Sequence, residues 1–200
     1  ARLINAERKF NADLGVIRCT GGSPLQWFDA AGQPWVNPSP NIRNLTEATL
    51  YPAVGLLEFC KLSVGRGTDT PFELLGAPYI DDMKLAAALN HDAPTGVRFV
   101  PTRFTPEASV FDGVECRGVQ LTLTNRDHYR SSQLNRHLAA TLHRMYGKQL
   151  DLPKMARLLG DEKTLQAILG GKTTAEIEVI SDRLLQDFQK RREPFLLYPR

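Results

Sequence analysis

Apolar residues at the start of the chain recur at the spacing of a helix. Leu3, Ala6, Phe10 and Leu14 would share one face of a helix over residues 1–14, and no capping residue precedes them. A chain that begins within a helical pattern, without an initiator methionine, is typical of a piece of a longer protein. We therefore expect this sequence to be part of a larger chain.

The next part of the sequence predicts a strand, a long connection and a helix. Residues 15–20 alternate enough for a short strand, and a connection rich in turn-forming residues follows. Asn44 and Glu47 then form an N-x-x-E capping pattern that opens a helix over residues 45–59. Pro52 must kink or divide this helix, because proline removes a backbone hydrogen bond.

The stretch SVGRGTDTPFE, residues 63–73, predicts a loop that leads into another helix. Thr70 is a natural N-cap, Pro71 suits the first helical position, and Glu73 completes a T-x-x-E capping box. The free N–H groups and the positive end of the helix dipole would then lie beside Arg66. An anion is the expected ligand of such a site.

Helices and two strands are predicted for the remainder. Asp81 caps a helix over residues 82–92, and Thr173 with Glu176 opens the last helix. The predicted core stripe of the last helix consists of Ile177, Ile180, Leu184, Leu185 and Phe188. The other predicted elements are strands at 96–101 and 118–125 and helices at 131–147 and 161–171.

Helices with a few interspersed strands predict an α/β or α+β fold with a small mixed sheet flanked by helices. The chain has 200 residues and shows no repeat, low-complexity tract or internal linker. We therefore predict a single domain over residues 1–200.

The charge balance gives no support for binding nucleic acid or a membrane surface. A formal net charge of +3 is spread over 25 basic and 22 acidic residues, without a run of five or more like charges. No apolar stretch reaches the roughly 18 residues of a membrane helix, and no signal peptide opens the sequence.

Cys19, Cys60 and Cys116 lack C-x-x-C spacing, and the histidines lack metal-ligand spacing. We expect buried free thiols, no metal and no cofactor.

Arg66 is the first candidate binding residue. Gly65 and Gly67 on either side permit a positive φ, and the planar guanidinium can hold a carboxylate or phosphate through two hydrogen bonds. The stretch is neither a Walker phosphate loop nor a dinucleotide-binding fingerprint. The alternative is a tight turn in which Arg66 pairs with an internal acid. That acid would be Asp69, Glu73 or Glu58.

Asn37, Ser39 and Asn41 place neutral hydrogen-bonding groups at alternate positions, which suits sugar hydroxyls and acetamido groups. The alternative is a turn in which these side chains bind their own backbone. Three aromatic residues can stack on the apolar face of a sugar or, as aromatic residues more often do, pack in the core. They are Trp27, Trp35 and Tyr79.

No motif predicts a catalytic nucleophile. A G-x-S-x-G elbow is absent, and no histidine lies near a serine or cysteine in a known pattern. Several acidic residues are available for a glycosidase carboxylate pair, but spacing alone cannot choose two of them. Asp81 can hold a ligand or serve only as a helix cap.

Four segments together resemble a known family. They are WFDAAGQPWVNPSPN, LLEFCKLSVGRGTDTPFELLGAPYID, GVRFVPTRFTP and FLLYP, and they occur in this order through most of the chain. The family is bacterial, was long catalogued as of unknown function, and is now associated with exo-acting β-N-acetylmuramidases. Such enzymes remove terminal N-acetylmuramic acid from peptidoglycan fragments.

The resemblance implies a two-part protein with an N-terminal Rossmann-like α/β domain, a smaller C-terminal α/β domain and an active site in the cleft between them. This sequence resembles the C-terminal part, so the catalytic glutamate is expected on an N-terminal domain absent from this chain. The implied partners are that domain and muramic-acid sugars from peptidoglycan, in a periplasmic or secreted setting. The implied substrate-binding residues are Asn37, Ser39, Asn41, Glu58, Arg66, Thr68, Asp69, Glu73 and Asp81.

The sequence departs from the family pattern at residues 59–61, where it has LLEFCKLS and relatives often have LLEGTNLS. We expect Arg66 to bind the lactyl carboxylate of N-acetylmuramic acid, while Ser39 and Asn41 address the acetamido group or ring hydroxyls. Two other functions stay open. One is a non-catalytic module that binds acidic sugars or positions a partner domain, and the other is a phosphate-ester enzyme that uses the loop of Arg66.

Overall fold

The computed structural model describes residues 1–198. These residues form two compact units. Ala1–Pro34 and the described residues from Ser181 onward make the smaller unit, and Trp35–Ile180 make the larger unit. Every residue expected to bind substrate lies in the larger unit. Pro199, the last residue of the FLLYP segment, lies outside the described residues.

The described residues contain seven α-helices and three strands, with 3-10 turns between some of them. The helices are α1 (Arg2–Arg8), α2 (Leu45–Val54), α3 (Asp82–His91), α4 (Ser131–Leu150), α5 (Ala156–Leu159), α6 (Glu162–Leu169) and α7 (Thr174–Arg192). The strands are β1 (Leu74–Ala77), β2 (Val97–Phe104) and β3 (Cys116–Leu123). Within residues 1–198, no helix has the length and apolar character needed to cross a membrane.

The three strands form one sheet in the order β1-β3-β2. Leu75 lies opposite Val119 on one side of β3, and Phe99 lies opposite Leu121 on the other. The predicted fold class, a small sheet flanked by helices, is confirmed. Both pairings are antiparallel, however, whereas we expected a mixed sheet. β1 and β2 run in the same direction but do not pair, because β3 lies between them.

The core of the larger unit is built around α4. This helix packs against α2, α3 and α6, and α3 also packs against β2 and β3. Leu134, Leu138 and Leu142 follow one another at four-residue spacing along α4 and are fully buried. The amphipathic helix predicted over residues 131–147 is therefore confirmed.

Side-chain caps begin helices where the sequence predicts them. Asn44 Oδ1 accepts the N–H of Glu47 at 2.9 Å at the start of α2. Asp81 Oδ1 accepts the N–H of Lys84 at 3.0 Å at the start of α3. The Thr173–Glu176 box bonds reciprocally before α7. These caps satisfy N–H groups that have no partner within their own helix.

Pro52 lies inside α2, which ends at Val54 and gives way to a 3-10 turn over Gly55–Leu57. The helix predicted over residues 45–59 is thus divided, as expected. Proline has no N–H to donate to the preceding turn, so the helical hydrogen-bond ladder is interrupted at this position.

Two predictions for the start of the chain are wrong. α1 ends at Arg8 because Lys9 adopts a left-handed backbone with φ of 52°, so Phe10 and Leu14 lie beyond the helix. Residues 15–20 form no strand. None of the described residues before Pro34 is buried, so no core is present to select the predicted apolar face.

The stripe predicted for the last helix is correct for its first half only. Ile177 is buried, and Ile180 packs against the core of the larger unit. The other members of the stripe are exposed, and they are Leu184, Leu185 and Phe188. Periodicity shows that residues share one face of a helix, but it does not show whether another element covers that face.

Gly118 on β3 should be intolerant of a side chain. It lies opposite Gly76 on β1, and a Cβ on Gly118 would lie 2.0 Å from the carbonyl oxygen of Leu75. We expect Gly118→Ala to lower the free energy of unfolding by about 1–3 kcal/mol, since the strands must separate to admit the methyl group. Urea unfolding measures this loss. The control is Gly15→Ala, which meets no atom within 4 Å; equal stability of the two variants would contradict the prediction.

Candidate functional site

The stretch around Arg66 forms a closed loop. Ser63 and Gly76 exchange two backbone hydrogen bonds, of 2.8 and 3.0 Å, and the Phe72 N–H donates to the Val64 carbonyl at 2.8 Å. Val64 and Phe72 are buried at the base of the loop. We call residues 64–72 the arginine loop. Its two ends are therefore fixed to each other and to the edge of β1.

Two glycines shape the arginine loop, as the sequence predicts. Gly65 and Gly67 have φ angles of 79° and 80°, a region that glycine adopts without a steric penalty. A Cβ on Gly67 would lie 2.3 Å from the backbone nitrogen of Ala108. The Gly67 carbonyl also accepts the N–H of Glu107 at 2.9 Å. The tip of the loop is therefore packed closely against the segment that follows β2.

The helix start predicted at Thr70, with Pro71 as its first residue, is wrong. The Glu73 N–H donates to the Thr70 carbonyl at 3.2 Å, and the next residues form β1. Phe72 has a φ of 64°, which the first turn of a helix does not accept. The argument for an anion beside Arg66 loses its helix dipole, because only aligned peptide groups create that positive end.

Arg66 pairs with Glu58, one of the acids that the sequence left open. Arg66 Nη2 lies 2.6 Å from Glu58 Oε1, and the side chains are 32% and 23% exposed. The guanidinium also lies 5.7 Å from the centre of the Phe72 ring. Arg66 Nε is buried and has no hydrogen-bond partner among the described residues. The ion pair thus fixes the guanidinium on one side and leaves it accessible to solvent.

A groove of about 470 Å³ adjoins the arginine loop. It lies between the tip of the loop and the end of β2 with the residues that follow. The lining residues are Gly67, Thr68, Asp69, Phe104, Thr105 and Glu107. Hydroxyl and carboxylate groups beside an aromatic ring can bind sugar hydroxyls and pack against an apolar sugar face. The two carboxylates disfavour an anion in the groove itself.

The segment of Asn37, Ser39 and Asn41 shows the turn that was the alternative to sugar binding. Ser39 Oγ accepts the N–H of Asn41 at 3.3 Å, and Ser39 pairs with Ile42 in an isolated bridge. Asn37 Oδ1 accepts the indole N–H of Trp35 at 2.8 Å. One polar group of Asn37 and one of Ser39 are therefore used within the segment.

Asp81 acts as the cap of α3. The hydrogen bond from the Lys84 N–H, strengthened by the Lys84 ammonium 3.0 Å away, holds the pKa of Asp81 below its usual value. The Asp81 N–H donates to Tyr146 Oη at 3.2 Å. Asp81 is thus engaged in local structure after the end of β1, whereas the arginine loop precedes that strand.

The candidate aromatic residues are partly buried. Trp35 and Tyr79 pack against the core of the larger unit. The Tyr79 hydroxyl donates to the Lys61 carbonyl at 2.6 Å, and its ring lies 5.9 Å from that of Tyr146. Trp27, in the smaller unit, is also partly buried. Trp35 and Tyr79 therefore show the core packing that was the alternative to stacking on a sugar.

Two of the three thiols are buried and chemically inert. Burial raises the pKa of the Cys60 thiol to about 12 and that of Cys116 to about 11, so neither forms a thiolate near neutral pH. Cys19 is exposed, which corrects the expectation that all three are buried. Across residues 1–198, no cluster of three His, Cys, Asp or Glu side chains could hold a metal ion.

The structure brings four of the predicted residues together at the arginine loop: Glu58, Arg66, Thr68 and Asp69. Arg43 also contacts this loop, although sequence reasoning missed it. Its guanidinium donates to the carbonyls of Thr68 and Asp69. The available signal was its position four residues before Glu47, a spacing at which opposite charges pair in helices.

Glu73 immediately precedes β1, and its carboxylate interacts with residues at the start of α2. The Asn44 side chain hydrogen-bonds to its carboxylate, and the charge of Glu47 is close by. Burial, together with the negative charge of Glu47, raises the pKa of Glu73 above its usual 4.5, and the Asn44 hydrogen bond opposes this only in part. Glu73 thus belongs to a carboxylate pair at the start of α2.

Comparison with known proteins gives the family. A sequence profile described as "Exo-beta-N-acetylmuramidase NamZ, C-terminal" matches residues 49–198. The chain belongs to the exo-β-N-acetylmuramidase NamZ family. The corresponding N-terminal profile matches residues 1–46. The single domain predicted over residues 1–200 stays a prediction. The boundary between the two family profiles falls between residues 46 and 49.

Relatives of the NamZ family extend the likeness to nearly the whole chain. A Bacillus subtilis protein named peptidoglycan β-N-acetylmuramidase NamZ is 35% identical over 99% of this chain. The chain spans 49% of that protein, about half its length.

Two crystal structures of DUF1343 family proteins from Bacteroides fragilis share the fold. They have TM-scores of 0.74 and 0.68 at 21% and 25% identity, and they match 99% and 98% of this chain. The chain covers 54% and 53% of those two structures.

The raised pKa of Glu73 predicts how stability changes with pH in this NamZ family member. The folded chain binds the Glu73 proton more tightly than the unfolded chain, so ionisation of Glu73 removes stability as the pH rises above about 4.5. We expect Glu73→Gln to gain stability relative to the parent between pH 4 and pH 7, as measured by urea unfolding at each pH.

Glu176→Gln is the control with the opposite sign. Hydrogen bonds from Thr173 lower the pKa of Glu176, so its contribution is present at pH 7 and is lost on acidification. If Glu73→Gln follows the same pH trend as Glu176→Gln, the carboxylate pair of Glu73 and Glu47 does not act as described.

Proposed function

We propose that this chain is the C-terminal, substrate-binding part of an exo-β-N-acetylmuramidase that releases terminal N-acetylmuramic acid from peptidoglycan fragments. The observation that carries the proposal is the 35% identity, over 99% of the chain, to a protein named peptidoglycan β-N-acetylmuramidase. The arginine loop and its groove supply the binding surface in this proposal.

The chemistry of the loop suits a sugar that carries a carboxylate. A guanidinium has five N–H groups, and the ion pair with Glu58 engages Nη2 of Arg66. Nε is buried, so the remaining N–H groups at the accessible end of the guanidinium would be the donors for the lactyl carboxylate of muramic acid, in a charge-assisted bond that needs no helix dipole. The groove carries the carboxylates of Asp69 and Glu107, so it would receive the neutral hydroxyls of the sugar rather than its anion.

Other residues of the binding surface remain part of the proposal. Ser39 and Asn41 would address the acetamido group or ring hydroxyls, since the Asn41 side-chain amide is not used by the Ser39 turn. The remaining proposed contacts are Asn37, Thr68, Glu73 and Asp81.

The catalytic acid would come from the N-terminal part of the family protein, which would also be the partner of this chain. The smaller unit supports this division of labour. It has no buried residue in the part that the structure describes, and Phe10, Ile17 and Leu25 are 66%, 96% and 76% exposed. A unit without buried apolar residues gains little stability from its own core. Association with further N-terminal sequence would cover these side chains.

Replacing Arg66 in the full-length protein tests the binding role. We expect Arg66→Ala to raise the KM for a chromogenic β-N-acetylmuramide about 10- to 100-fold, the loss expected for a charge-assisted hydrogen bond worth about 1.5–3 kcal/mol. Inhibition by free N-acetylmuramic acid should weaken in parallel, whereas inhibition by N-acetylglucosamine, which lacks the carboxylate, should change little.

Arg157→Ala is the matched control, because Arg157 also lies over a phenylalanine ring, 5.1 Å from the centre of Phe59. This variant should keep the KM of the parent. A parental KM in the Arg66→Ala protein would show that Arg66 is not part of the binding surface. It would not contradict the proposed hydrolytic activity of the full-length protein.

The 200-residue chain alone should not hydrolyse the muramide, because the proposed acid is supplied elsewhere. Release of the chromophore by the full-length protein and by the isolated chain measures this directly. Hydrolysis by the isolated chain would contradict the division of labour. Absence of hydrolysis by both, with tight binding of N-acetylmuramic acid by the isolated chain, would favour a non-catalytic sugar-binding module.

A further inference from the structure

We propose that Arg43 is a positioning residue of the binding surface: it holds the arginine loop in place from the start of α2. This inference rests on the proposed function for its relevance to substrate. Its structural basis is independent, because it consists of contacts that Arg43 makes with Glu47 on one side and with the loop on the other.

Glu47 anchors Arg43. The Glu47 side chain is fully buried, with 0% exposure, and its position is set by the cap of α2, where its own N–H donates to Asn44 Oδ1. Glu47 Oε2 accepts the backbone N–H of Arg43, and Glu47 Oε1 lies 3.6 Å from Arg43 Nη2. Oε1 has no hydrogen-bond partner among the described residues. A buried carboxylate in this situation depends on a nearby cation for stability.

The same guanidinium nitrogen reaches the arginine loop. Arg43 Nη2 donates to the Thr68 carbonyl at 3.1 Å and to the adjacent Asp69 carbonyl. Both acceptors are backbone atoms, so this contact fixes the path of the chain and not only a side chain. Charge-assisted bonds of this kind are stronger than those between neutral groups.

These bonds complete the set of contacts that define the loop. Gly67 is held through its carbonyl by the Glu107 N–H, and Thr68 Oγ1 donates to the Gly65 carbonyl at 2.6 Å. Arg43, which immediately precedes the cap of α2, adds hydrogen bonds to the carbonyls of Thr68 and Asp69. A loop held at successive residues loses less conformational entropy when a ligand binds.

A lysine at position 43 separates positioning from general stability. Lysine would keep a positive charge near Glu47, so the buried carboxylate retains a counter-ion. Its ammonium is a compact charge on a flexible chain, so it is not held in one position facing the carboxylate and the two carbonyls, as Nη2 is held by the planar guanidinium of Arg43. Arg43→Lys should therefore loosen the loop while leaving the fold largely intact.

The experiment uses the full-length protein and three measurements on Arg43→Lys. We expect the KM for the chromogenic muramide to rise about tenfold with kcat within about twofold, as for a loss of binding without a loss of chemistry. The melting temperature should stay within about 3 °C of the parent. Amide hydrogen exchange of residues 65–70 should become faster, since exchange reports local opening of the loop.

Two further variants test this interpretation, one as a control and one as a second disruption of the same contact. Arg136→Lys makes the same change at another arginine–glutamate pair, with Glu178 at 3.2 Å, and should leave both KM and loop exchange unchanged. Glu47→Gln keeps an oxygen for the Arg43 N–H but removes the charge that fixes the guanidinium. It should shift KM and loop exchange in the same direction as Arg43→Lys.

The outcomes are distinct. Parental loop exchange in both Arg43→Lys and Glu47→Gln would overturn the proposal, and so would faster exchange with an unchanged KM, since the loop would then be held without serving the substrate. An effect of equal size in Arg136→Lys would also overturn it. If the unmodified full-length protein does not hydrolyse the muramide, the proposed function fails. Loop exchange in the variants still decides whether Arg43 holds the loop.

Discussion

A carboxylate without solvent access at the start of α2 is the constraint on which the local structure depends. Glu47 is fully buried and lies near a second carboxylate, Glu73, and water is not available to stabilise its charge. The backbone and guanidinium of Arg43 supply the nearest compensation. Since that guanidinium also binds two carbonyls of the arginine loop, the counter-ion of Glu47 is at the same time one of the contacts that hold the loop.

Arg66, within the arginine loop, has a different electrostatic role from Arg43, which binds the loop from outside. Arg66 is paired with Glu58, so together they present almost no net charge, but they present an oriented set of donors and acceptors to solvent. The groove beside them carries two more carboxylates. Such a surface would select ligands by the positions of their hydrogen-bonding groups more than by total charge.

Sequence reasoning succeeded where local chemistry decides the structure. Asn44 and Asp81 cap helices because a side-chain oxygen so placed satisfies free N–H groups, and Gly67 allows the backbone conformation that its loop needs. The same rules misjudged Thr70 and Glu73, whose capping pattern is overridden by the pairing of β1 with β3. Strand pairing is a long-range interaction that a short motif cannot reveal.

The contacts of Arg43 with the arginine loop were unpredictable for the same reason, as its acceptors there are backbone atoms about 25 residues away along the chain. Phe72, which has a left-handed backbone, extends this coupling to α2 through the contact of its ring with Tyr51. A bulky residue in that conformation carries a strain of roughly 1–2 kcal/mol. The ring of Tyr51, 4.9 Å away, packs edge-on against it, and Gly55 leaves the space in which Tyr51 lies. A substitution at Gly55 that displaces Tyr51 would therefore act on Arg66 through two rings packed edge to face, without altering any of the proposed ligand-binding residues.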